Sequence, residues 1–161
     1  MVHTTMHSQR GSAMIEALVA VLLFMLGVVG LVGAMGQVVG NQADVQFRGE
    51  ATKHASEMMN TIWLNVDRTS PATTVTSLQG FIHRPDTTDT CSFGGADSGN
   101  ALVTAWVARI SAGAASLPGS TAAMQQIAFD STKNNQVTIT LCWQSSGDVV
   151  PRRYVLRSFI N

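Results

Sequence analysis

Charge is scarce where a soluble domain would carry it. Between Met1 and Ala43 the only side chains charged at neutral pH are Arg10 and Glu16. Over the whole chain ten basic residues offset ten acidic ones, for a formal net charge of zero. Such a balance sets up no overall field to draw in nucleic acid or anionic lipid. Catalytic signatures are missing as well. No G-x-S-x-G, P-loop or H-E-x-x-H pattern occurs, so the usual nucleophilic, phosphate-binding and zinc-protease chemistries have no foothold. The histidines are His3, His7, His54 and His83. None stands beside a nucleophile motif, and an enzyme, a metal site or a cofactor is not expected. Cysteine occurs twice, at Cys91 and Cys142. In an oxidising compartment a pair this far apart in the chain is most simply a disulfide, contributing ~4 kcal/mol in the chain-entropy model. Two unpaired buried thiols are the other reading.

What is present is a long apolar run. Ala17 to Met35 holds no charge across 19 residues, ~29 Å as a helix, which matches a hydrocarbon core of ~30 Å. Glu16 stands at its mouth. A carboxylate in hydrocarbon costs several kcal/mol, so a lone one marks a functional partner. A secretory signal has an apolar region of about 7–15 residues and an A-x-A-like cleavage site. This run is longer, Glu16 sits where the apolar region should begin, and Gly33-Ala34-Met35 is a poor match. A plain single-pass anchor accounts for the length but not for the glutamate. The leader carries Arg10, His3 and His7 without an acid, which places Met1–Gly11 in the cytoplasm and the rest of the chain beyond the membrane outside it.

The helical pattern continues past the apolar run. Gln37 to Val66 has no proline and only two glycines, Gly40 and Gly49. Phe47, Ala51, Ala55, Met58, Met59, Ile62 and Trp63 recur at three- and four-residue steps, a helical stripe. Glu50, Lys53 and Glu57 are spaced to pair on the other side. The helix should end near Asp67, before Ser70-Pro71, because the residue ahead of a proline disfavours the α region. Counted from Ser12 it spans ~84 Å. Gly27, Gly30, Gly33 and Gly36 fall on a three-residue step, with Gly40 beyond. Close helix packing in the membrane and a deliberately weak, stretchable helix both explain them.

Thr69 to Asn100 reads as a long connection with a short strand near 77–82. His83, Asp86, Asp89 and Cys91 within it fit no standard ligand spacing and read as a solvated loop. Ala101 to Ile110 returns to helix, with Asp97 or Ser98 as N-cap and Gly113 as stop. Leu117-Pro118-Gly119 turns the chain. Three strands follow, at 125–129, 136–144 and 153–160. In the second, Val137, Ile139, Leu141 and Trp143 alternate with Thr138, Thr140 and Cys142. This is an antiparallel meander, and its buried face needs a cover. The stripe around Ala51–Trp63 is the obvious one.

A short basic leader, Gly11, Glu16 five residues later and an apolar helix resemble the class III signal of the type IV pilins. The layout of a long N-terminal helix across a small antiparallel sheet resembles their fold. Among them the chain is most similar to the PilV-type minor pilins, the type IV pilus modification proteins. The matching features are Ile15-Glu16-Ala17-Leu18-Val19-Ala20, the glycines from Gly27 to Gly36, Trp106 ahead of Leu117-Pro118-Gly119, and Val137, Ile139 and Trp143. The resemblance implies an α+β pilin-like fold. It divides the chain into a cleaved leader at 1–11, a transmembrane half-helix at 12–36, a periplasmic half-helix at 37–66 and a globular head at 67–161. It further implies cleavage after Gly11 by a prepilin peptidase, with Ser12 as the new N-terminus. The family's usual phenylalanine is here replaced by serine, on an amine that the family usually N-methylates. Glu16 then serves subunit assembly by pairing with a neighbour's amine.

The implied function is that of a minor pilin in a type IV pilus, aiding assembly initiation or tip formation and thereby adhesion, motility or DNA uptake. The alternative is a minor pseudopilin of a type II secretion system. Expected partners are the peptidase, other major and minor pilins, and inner-membrane lipid before assembly. The expected location is the inner membrane, single pass with a periplasmic head, and then the extracellular pilus. Arg152, Arg153 and Arg157 offer a basic strand that either binds DNA or is simply an exposed face. The exposed face is the preferred reading, and nucleic acid is not an expected partner.

Overall fold

A computed structural model of the chain describes residues 10–86 and 91–160, and of residues 10–12 and 36–42 the backbone alone. The chain forms two compact units, Met1–Asp44 and Val45–Asn161. The first contains the start of helix α1 (Arg10–Asn65). Its stretch Ala13–Met35 has a mean hydropathy of 2.7 and is wholly uncovered by the protein. It is long and apolar enough to span a bilayer.

The second unit holds the rest of α1, helices α2 (Pro71–Gln79) and α3 (Ala101–Ala112), and strands β1 (Gln125–Asp130), β2 (Gln136–Trp143) and β3 (Arg152–Phe159). The strands form one antiparallel sheet in the order β1-β2-β3. The architecture is therefore α+β, a long N-terminal helix with a three-stranded antiparallel meander, as the sequence predicts. The register aligns Ile127, Ile139 and Leu156 across the sheet, and Gln125, Leu141 and Tyr154 beside them. Helical spacing brings Ala51, Ala55, Met58, Met59 and Ile62 to one side of α1, and all are buried in a single core with Val137, Ile139, Leu141 and Trp143. Ala51 and Ala55 are fully buried although they carry no side chain beyond Cβ. Val103, Trp106 and Ile110 of α3 and Leu78 of α2 complete that core.

Several local expectations are corrected. The stretch at 77–82 is no strand: Ser77 and Leu78 belong to α2. Ser70 caps that helix, its Oγ accepting from the Thr73 amide at 3.2 Å while the Ser70 amide donates to the Thr73 hydroxyl at 2.9 Å. Pro71 occupies the first turn, where its missing N–H costs nothing. Ser70-Pro71 thus starts a new helix rather than merely closing the last one, which ends at Asn65. Asn100, not Asp97 or Ser98, caps α3 by accepting from Leu102 N at 2.9 Å. Trp63 is left 39% exposed at the edge of the stripe, with the Arg68 guanidinium 4.8 Å from its ring centre. Lys53 approaches Glu50 at 4.0 Å, but Glu57 turns to Arg109 of α3 at 2.8 Å. Gly113 does stop α3. Gly119 is required by geometry: its φ is +60° and a Cβ would strike the Gln144 carbonyl, beside the bond from Gln144 N to Pro118 O at 2.9 Å.

Candidate functional site

The N-terminal turn of α1 carries the features that point to function. Gly11 and Ser12 lie in helical backbone. Ser12 and Glu16, four residues apart, fall on one helix face, separated by ~6 Å along the axis. Glu16 is exposed, and among the described residues no partner meets its carboxylate. It is the only charged residue within Ala13–Met35. Around it Met14, Ile15, Leu18, Leu22 and Leu26 are all more than half exposed. A Cβ added at Gly27, Gly30 or Gly33 would meet nothing within 4 Å. Among the described residues nothing uses the close approach that these glycines permit. The arrangement can bury an apolar helix and offer one carboxylate.

In the second unit a fastening joins α1 to α3. The Trp106 indole N–H donates to the His54 carbonyl at 2.9 Å. His54 is itself buried, and its Nε2 bonds the Ala115 carbonyl at 2.9 Å. The ion pair of Glu57 and Arg109 sits outside on the surface, where such a pair contributes ~0–1 kcal/mol. The hydrophobic ring and its buried hydrogen bond carry this contact.

A second fastening holds the connection between α2 and α3. Cys91 and Cys142 form a disulfide with their Cα atoms 5.8 Å apart, packed with Phe93 and Met124 in a small cluster of their own. The face of β2 that carries Thr138, Thr140 and Cys142 is thus covered at this end, and Cys142 is fully buried. The same segment bonds to the edge of β1, where His83 and Ile127 exchange backbone bonds at 3.0 and 2.9 Å. Of the residues that suggest metal binding, Cys91 is spent in the disulfide and Asp86 bridges Gly94. Asp89 lies outside the described residues. His83 is buried, with its Nδ1 accepting from Ser98 N at 3.1 Å and its Nε2 placed 3.4 Å from the Ala122 carbonyl. These partners suit the neutral ring with its proton on Nε2. Among the described residues no three metal-binding side chains gather.

Burial is the largest influence on His83 and pushes its pKa down. The Ala122 carbonyl and Asp97 oppose it, and the Arg84 guanidinium adds to it. A group whose folded pKa lies below its unfolded value of ~6.5 binds protons more readily unfolded, so stability rises with pH. His83 therefore contributes fully above about pH 6.5 and loses that contribution as the pH falls through its lower folded pKa. Thermal melts of the full chain in detergent micelles from about pH 8 to pH 5 should show falling stability. His83→Gln, which keeps an acceptor but cannot be protonated, should flatten that slope; an unchanged slope would assign the loss to another group.

The three arginines of the last strand do not act together. Arg152 pairs with Asp148, with contacts of 2.8 and 2.7 Å, and its guanidinium is the main influence holding the Asp148 carboxyl below the usual range. Arg153 and Arg157 are exposed on the opposite face of the sheet. There they line a polar concavity of about 410 Å³ with Gln126, Thr138, Thr140 and Lys133. Lys133 is held at 2.9 Å by Asp130, whose carboxyl is lowered to about 2, first by the Thr132 hydroxyl and then by Lys133.

Sequence reasoning did not find the His83 anchorage, the capping that makes α2 or the division of the arginines between two faces. The capping leaves a local signal, a serine and proline followed by a residue able to return the bond. Strand alternation already separates Arg152 from Arg153 and Arg157, but which face each takes, like the His83 anchorage, depends on long-range register. Comparison with protein-family models, with curated proteins and with solved structures finds no match.

Proposed function

We propose that this chain is a minor pilin, inserted in the inner membrane, cut after Gly11 and built into a type IV pilus. The observation that carries the reading is Glu16: a lone carboxylate, without a partner among the described residues, opening an uncovered apolar span, one helical turn beyond Ser12. The pilin-like α+β layout supports it. Cleavage after Gly11 would place an α-amino group on Ser12, with an unperturbed pKa of ~7.7–8.0 and hence cationic at neutral pH. In a stack of helices Glu16 of an entering subunit meets the Ser12 amine of its neighbour. Two charges leaving water are costly alone and tolerable together, so the pair sets register more than it adds stability. Apolar packing of the spans, opened by their glycines, supplies the attraction as the helices leave lipid. The role is structural, with other pilins as partners and a prepilin peptidase as processing enzyme. In this reading the second unit faces the periplasm and then the exterior, where a disulfide persists.

The test is processing. Gly11→Leu should leave the full-length chain accumulating in the membrane, because a cleft fitted to glycine has no room for a side chain beside the scissile bond. Intact-mass measurement of membrane-extracted protein reads the N-terminus. A Gly11→Leu chain that still begins at Ser12 would remove the basis of the proposal.

A further inference from the structure

The sheet has one edge along which, among the described residues, no further strand is paired. β1 is bridged along its outer side by His83. β3 is the opposite edge, and among the described residues its backbone bonds to no strand or loop beyond β2. Proteins blunt such edges with brevity, charged side chains, proline, bulges or cover. Of these β3 has charge alone, in Arg152, Arg153 and Arg157, which leaves its backbone open to a strand that carries the opposite charge. It is eight residues long, its register with β2 is unbroken, and Pro151 lies just outside it.

The two faces of β3 differ in chemistry. Pairing with Leu141 and Ile139 puts Tyr154 and Leu156 on the core side, where both are only partly buried at the rim of the core. Arg153 and Arg157 stand on the other side, exposed and with no ion pair among the described residues. A strand laid beside β3 at ~4.8 Å would complete the cover of Tyr154 and Leu156 with apolar side chains on one face. On its other face it would meet two guanidinium groups spaced four residues apart. We infer that the free edge of β3 docks an extended segment of another protein in which acidic residues alternate with apolar ones.

Charge disfavours a second copy of this chain paired about Val155. Two β3 strands paired antiparallel about Val155 would set each Arg153 opposite Arg157 of the other copy, and like charges directly opposite are destabilising. Nor does this sequence contain the complement, since no two of its acidic residues stand two or four apart. The partner is therefore a different protein, bound through main-chain bonds for affinity and side-chain alternation for choice. This inference stands apart from the filament reading and survives its failure.

The experiment uses the full chain in detergent micelles and two eight-residue fluorescent peptides, one alternating valine with glutamate and one alternating valine with lysine. Anisotropy reads binding, and amide exchange reads its place. The glutamate peptide should bind and slow exchange along β3. The double variant Arg153→Glu, Arg157→Glu changes only exposed side chains and should melt as the wild type does. It should weaken the glutamate peptide about tenfold, from two cross-strand pairs turned from attraction to repulsion, and should bind the lysine peptide instead. Failure of the glutamate peptide to bind, equal binding to wild type and double variant, or binding without slowed exchange at β3 would each overturn the inference.

Discussion

Glu16→Val is expected to be cleaved and inserted as the wild type is, and then to be missing from the filament. Removing a carboxylate from an apolar span relieves a cost of several kcal/mol, so insertion improves. Assembly is another matter. In the stack that we propose, the Ser12 amine of a neighbour would lose its counter-charge, and a buried charge without its partner costs ~3–5 kcal/mol. At 1.4 kcal/mol per factor of ten, that cost lowers incorporation by roughly a hundredfold or more. Glu16→Gln should fall between, keeping an acceptor without the charge. Immunoblots of sheared filaments beside the membrane fraction measure both. Equal incorporation of wild type and Glu16→Val would show that the glutamate does not drive assembly. An uncleaved Glu16→Val chain would instead make it part of the processing signal.

Trp106→Ala should be the most damaging single change in the second unit. The ring is fully buried, and its N–H holds the His54 carbonyl at 2.9 Å. Truncating a buried tryptophan costs ~3–5 kcal/mol from lost transfer energy and the cavity left behind. The carbonyl keeps its place in the α1 ladder, so the loss is mainly one of packing. Against a typical domain stability of ~5–15 kcal/mol, this is a large share. Thermal unfolding of the full chain in micelles should fall by ~10 °C or more. Trp63→Ala, at a half-exposed position, should cost far less. A Trp106→Ala chain melting within about 2 °C of wild type would mean that the ring does not organise the core.

The contrast between these two tryptophans also shows how much the sequence discloses. Period sufficed for α1, α3 and the three strands, because each has a long stripe of one spacing and a clear stop, such as Gly113 or Leu117-Pro118-Gly119. The cover of the sheet followed from the same stripe, although period alone placed Trp63 inside it when it lies at the rim. The connection from Ser70 to Asn100 was opaque. Thr74 and Leu78 give α2 too few buried positions to register as a period, and its proline signals a stop and a start alike. Glu16 was legible because a charge in an apolar run is an anomaly in one dimension. The face assignments of Arg152, Arg153 and Arg157 were not, since one residue of register decides which side each takes.

The way α1 is held in the second unit has a mechanical consequence. Its buried positions run from Ala51 to Ile62 and on to Val66 past its end, over ~22 Å of axis if the rise is kept throughout. A pull along that axis loads all of these contacts, and the Trp106 bond, side by side rather than one after another. Sliding the helix out would require them to yield together, whereas peeling it away sideways would release them singly. The unit is therefore built to resist tension delivered through its own α1, and should yield far more readily to a force applied across it.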